Sequence, residues 1–177
     1  MNIKSLIPIS LFLILIACKA IDKFTQFNMT YNETVVIPSS TGINLPTNID
    51  SPEIESNSEA TFSANDTRKD KIEDVKLTAM DLTLTSPANG DFSFLKSVEI
   101  FIYAEGLEET KIAWKYDISD DAGNTLDLET SDTNLEEYIK KESFKLRLTT
   151  VTDKIITSEH KINVHSIFFV DAKVLGI

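Results

Sequence analysis

Oxygen-bearing side chains recur at alternate positions in one short stretch, DISDDAGNTLDLE, where Asp117, Ser119, Asp121, Thr125, Asp127 and Glu129 stand two to four residues apart. Such donors suit calcium, which takes about six to eight oxygens at about 2.3–2.6 Å. Asp117, Asp121 and Asp127 are the candidate ligands. A calcium loop needs Gly at its sixth position and Glu at its twelfth, and counted from Asp117 these hold Ala122 and Leu128. An acidic turn without a metal or other cofactor is therefore expected. His160 and His165 are the only histidines, and five residues apart on a strand they fall on opposite faces, where one metal cannot join them. No Ser-His-Asp set, phosphate loop or zinc spacing is present, so no catalytic residues are assigned and the chain is expected not to be an enzyme.

Cys18 is the only cysteine, and its position is informative. It follows Met1-Asn2-Ile3-Lys4-Ser5 and the run Leu6 to Ala17, apolar apart from Pro8 and Ser10. A cation followed by about a dozen apolar residues has the form of a secretory signal, too short for the roughly 20 residues that span a bilayer. Leu15-Ile16-Ala17-Cys18 resembles the lipobox of bacterial lipoproteins. The resemblance implies a signal peptide over 1–17, cleavage between Ala17 and Cys18, and a lipidated N-terminus with tether over 18–23. In that family the Cys thiol carries diacylglycerol and the new amino group is acylated, commonly with palmitate. One acyl chain binds only marginally at about 0.8 kcal/mol per CH₂, so two or three chains would make a lasting anchor. Lys19 stands where an inner-membrane lipoprotein of enteric bacteria carries Asp, which makes the outer membrane the expected address. The absence of a dense acidic cluster after Cys18 favours the periplasmic leaflet over the cell surface.

Removal of the signal leaves about 160 residues, one domain's worth. Asp and Glu number 28 against 17 Lys and Arg, a net charge of −11 that argues against nucleic acid or anionic headgroups as partners. With no other cysteine to bridge, the fold must rest on its hydrophobic core.

The positioning elements read as strands. Residues 24–65 form a leading strand, Phe24 to Ile37, then Ser/Thr/Pro-rich loops with one or two short edge strands. Residues 66–177 form the β-sandwich body, and 24–177 is expected to be one domain. A helical turn near Arg68 to Glu73 leads into Val75 to Thr85, where the apolar parity changes between Ala79 and Met80 and calls for a bulge. In Val98 to Ala104 the even positions face inward, leaving Glu99, Phe101 and Tyr103 outward. In Ile112 to Ile118 alternation places Ile112, Trp114, Tyr116 and Ile118 on the core side. Phe144 to Val151 and Lys161 to Lys173 complete the strands, and SDTNLEEYIKKE reads as a short helix capped by Asp132 or Thr133.

The expected fold is mainly β, an antiparallel two-sheet sandwich with one short helix. The segment WKYDISDDAGNTLDLE resembles bacterial immunoglobulin-like domains in its Asp-x-x-Gly-Asn hairpin and preceding Trp. Two functions follow as expectations. The first is a lipid-anchored outer-membrane lipoprotein acting as a non-enzymatic interaction or scaffold subunit of a cell-envelope complex. The second is a ligand- or glycan-binding accessory lipoprotein using exposed aromatics such as Phe101, Tyr103 or Tyr116.

Overall fold

A computed structural model describes residues 26–39 and 42–172. The expected signal peptide, the cleavage point at Ala17 and Cys18, and the tether over 18–23 lie outside the described residues. The strands are β1 (Gln26–Ile37), β2 (Pro46–Asp50), β3 (Ile54–Glu55), β4 (Ile72–Ser86), β5 (Leu95–Tyr103), β6 (Thr110–Lys115), β7 (Thr125–Asp127), β8 (Glu129–Thr130), β9 (Ser143–Thr152) and β10 (His160–Ala172). Among the described residues there are also two helices, α1 (Ser58–Ala64) and α2 (Glu136–Ile139), and a 3₁₀ turn at Lys69–Lys71.

These strands form an antiparallel two-sheet sandwich, as the alternating sequence requires. The first sheet runs β1-β10-β4-β7 and the second β2-β9-β5-β6-β8, with β3 also paired to β9. With β2 and β3 as one interrupted strand, this order is a double Greek key, the jelly-roll connectivity. The immunoglobulin order instead pairs its first two strands in one sheet. Here the first and last strands are neighbours, matched over an unbroken register from Gln26↔Asp171 to Ile37↔His160.

The loops consequently gather at two ends. Where β1 begins lie α1, the β5–β6 turn and α2. The opposite end carries the β1–β2, β4–β5, β6–β7 and β9–β10 connections, tied together by Leu84 N to Asn124 O at 2.8 Å, Phe92 N to Gly123 O at 3.0 Å and Asp153 N to Phe94 O at 3.2 Å.

Between the sheets, inward positions of the alternating strands meet in a core that includes Val75, Leu82, Val98, Ile100, Ile102, Leu146, Leu148, Ile162, Val164 and Phe168. Met29, Val35, Ile37, Ile54 and Phe62 join the same cluster, so the segment before residue 66 packs into the sandwich. Tyr31 lies edge-on to Phe144 and Phe168, with centroids at 5.2 and 5.7 Å, and its hydroxyl donates to Ser56 O at 2.7 Å.

The parity break in β4 is a bulge at Thr78, skipped between Ile167↔Ala79 and Phe168↔Leu77, one residue before the expected place. The helix α2 is four residues long, and it is Asn134, just before it, whose Oδ1 accepts from Glu136 N at 2.9 Å. Asp132 and Thr133 do not take that role, because Asn134 is also held to β4, accepting from Val75 N at 3.1 Å and donating to Glu73 O at 3.2 Å.

Candidate functional site

A second bulge decides what the protein shows to solvent. Along β5–β6 the register runs Glu99↔Trp114, Ile100↔Ala113 and then Phe101↔Lys111, leaving Ile112 as the extra residue. Ile112 and Ala113 are therefore both buried, and the parity of β6 flips beyond them. Trp114 is thus turned out of the core, correcting the alternation that placed it inward with Tyr116. It sits half-buried opposite Glu99, and its Nε1 donates to Glu129 Oε2 at 3.0 Å. Tyr116 is 47% exposed.

The outer face of the second sheet can be read as rows crossing its strands. One row is Glu129, Trp114, Glu99, Thr149 and Asn48, each opposite the next. The next row toward the β1-start end is Lys111, Phe101, Arg147 and Asp50, and beyond it Tyr103 faces Lys145. Phe101 and Tyr103 are outward, as the alternation of β5 predicts.

Most polar groups of this face pair with one another. Arg147 donates to Asp50 and Glu109, both at 2.7 Å, while its guanidinium lies 5.0 Å from the centroid of the Tyr103 ring. The Lys111 ammonium bonds Glu99 at 3.0 Å and stands 5.4 and 5.9 Å from the centroids of Trp114 and Tyr116. The Tyr116 hydroxyl donates to the same Glu99 oxygen. That bond, then the one from Lys111, holds the Glu99 carboxyl below the usual range, and Glu99 in turn raises Lys111. Arg147 is raised by Asp50 in the same way. Tyr103, Lys145, Glu53, Glu105 and Glu142 also line an open cleft of about 600 Å³ at the β1-start end.

Asp117, Asp121, Asp127 and the two histidines lie outside the rows of this face. Asp117 takes a left-handed backbone conformation (φ 49°) in the β6–β7 connection, and Asp121 accepts from the Ser119 hydroxyl. Asp127 lies in β7 opposite Asp81, and its carbonyl accepts from Lys115 Nζ at 2.9 Å. Asp120, not singled out as a ligand, pairs with Lys154 at 2.9 Å. Among the described residues no three His, Cys, Asp or Glu side chains are grouped to hold a metal ion. His165 Nδ1 is 2.7 Å from Asp81 Oδ1, whereas the His160 ring lies 4.5 Å from Phe94, centroid to centroid. Among the described residues, no helix is long and apolar enough to cross a membrane.

No family model matches the chain, and no curated protein does. Solved structures similar in fold include the capsid of Helicobacter pylori bacteriophage KHP30, 11% identical over 84% of this chain and 98% of that one at a TM-score of 0.36. Others are the Cyanophage Pam1 capsid (7%, 82% and 86%, TM-score 0.38) and the CBM32-5 module from Clostridium perfringens (11%, 81% and 97%, TM-score 0.37). Likenesses this remote carry no inference about function.

Proposed function

We propose that this protein is a lipid-anchored, non-enzymatic interaction module of the cell envelope, held through acylated Cys18 at the outer membrane in the periplasmic leaflet. Its contact surface is the outer face of the second sheet. One observation supports that choice of surface: the β6 bulge turns Trp114 outward opposite Glu99, one row from Lys111 and Phe101, and so adds its ring to the solvated sheet face that already carries Phe101 and Tyr103. Aromatic side chains bring large contact area with a polar handle, which is why they recur at binding surfaces. Such a module serves as an interaction or scaffold subunit of an envelope complex, or as an accessory that holds a glycan.

The anchor and the surface are tested separately. Cells fed an alkyne fatty acid should label the wild-type chain and leave Cys18→Ser unlabelled and uncleaved; labelling that survives the substitution overturns the anchor. For the surface, wild-type protein in detergent-solubilised membranes should retain a binding partner, protein or glycan, that Trp114→Ala loses. Equal recovery by both chains would mean that this face is not the contact surface.

A further inference from the structure

Resting on the surface just assigned, we infer that the outer face of the second sheet is a binding site for an uncharged saccharide, lying along Trp114, Phe101 and Tyr103 toward the 600 Å³ cleft. Three observations carry this. The first is charge. The chain has a net charge of −11, yet on this face the cations Lys111, Lys145 and Arg147 stand among Asp50, Glu99, Glu109 and Glu129. Lys111 and Arg147 are already committed to partners on the same face. An anion taken up at Lys111 or Arg147 would have to break those pairs, whereas a neutral ligand leaves them intact.

The second observation is how rings and polar groups alternate. The core of a protein–protein interface is depleted of charged residues. Here Glu99 and Lys111 separate Trp114 from Phe101, and Arg147 lies beside Phe101 and over Tyr103, so the rings form no continuous apolar patch. A pyranose suits that pattern: its C–H face stacks on a ring while its hydroxyls, each both donor and acceptor, reach carboxylate, guanidinium and amide groups around it. Glu129, Glu99, Arg147 and Asn48 supply those groups in rows set by strand pairing, about 4.8 Å apart from strand to strand.

The third is the cleft. Tyr103 and Lys145 belong both to the face and to the cleft lining, so the face adjoins a concave site. Its volume is within the range of small-ligand sites, about 300–1,000 Å³.

Trp114 is the only tryptophan of the chain, so its fluorescence reports this surface directly. Full-length protein in detergent micelles would be titrated with maltohexaose, cellohexaose, xylohexaose, mannohexaose and chitohexaose, and with polygalacturonate as the anionic counterpart. At least one neutral oligosaccharide should shift the emission saturably, with a midpoint that stays constant between about 0.05 and about 0.5 M NaCl because no ion pair is formed. Phe101→Ala and Tyr103→Ala should each weaken that binding about tenfold or more, while Asp121→Ala, in the distant acidic connection, leaves it unchanged. Silence with every neutral probe, binding of polygalacturonate alone, or affinity indifferent to Phe101→Ala and Tyr103→Ala would each overturn the saccharide assignment. If a stoichiometric protein partner that depends on Trp114 is recovered in the same cases, the contact surface stands and only its occupant changes. If nothing depends on Trp114, both fail.

Discussion

Trp114 and Ile112 are two residues apart on one strand and should respond oppositely to truncation. Ile112→Ala removes a fully buried side chain and is expected to cost about 2–5 kcal/mol in urea unfolding. Trp114→Ala removes a half-buried ring with one surface hydrogen bond, and should stay within about 1 kcal/mol of wild type. A loss for Trp114→Ala as large as that for Ile112→Ala would place the ring back in the core. Glu99 gives a second test at this scale. Its folded pKa lies below the ordinary 4.5, so its contribution to stability is present above that value and is lost as pH falls through the folded pKa. Glu99→Gln should therefore flatten the acid limb of the stability profile below about pH 4.5 and leave its slope from neutral pH down to that point unchanged. An acid limb identical to wild type would mean that the Tyr116 and Lys111 bonds do not hold in solution.

Elements differ in how legible they are from the chain. β9 alternates strictly and β5 does so from Val98 onward, so the outward set Glu99, Phe101, Tyr103, Lys145 and Arg147 follows from parity alone. β6 defeats the same reasoning because Ile112, Ala113 and Trp114 are all apolar, and three apolar residues in succession do not mark which neighbour is the bulged one. The bulge depends on the register with β5, which is set by partners elsewhere in the sheet. α1 leaves little periodic signal, because SEATFSA places one large apolar residue, Phe62, among small and polar ones. Connections can be tested too. A Cβ at Gly90 would stand 2.7 Å from Leu84 Cδ2 and 3.0 Å from the Pro87 carbonyl, so Gly90→Ala should cost about 1–3 kcal/mol. Gly123→Ala, with open space around it, should stay within about 0.5 kcal/mol. Equal losses by thermal unfolding would contradict this difference in crowding. In the β6–β7 connection, millimolar calcium should leave the melting temperature unchanged. A bound ion at a hundredfold excess over Kd would add about 2.7 kcal/mol, a rise of several degrees. Such a rise, abolished by Asp121→Ala, would make the acidic stretch a metal site.

At the scale of the whole molecule, the sandwich class was legible from alternation, whereas the jelly-roll order was not. Pairing of Gln26 with Asp171 joins residues from opposite ends of the chain, and no local pattern records such a contact. The same unbroken ladder has a mechanical consequence. β1 begins at the end where β10 finishes, and its backbone hydrogen bonds lie perpendicular to the strand. If Cys18 is held in a membrane as proposed, a pull on the far-end loops runs along β1 and loads all of its pairs together, in shear. A pull between Cys18 and the end of β10 opens the pairs one after another, like a zipper. Single-molecule extension from Cys18 should therefore require markedly more force with the second handle at Ile155, on the far end, than at Ala172. Equal forces would contradict this geometry. A module tethered this way would yield little to drag on whatever it holds, and would come away readily only when its two chain ends are drawn apart.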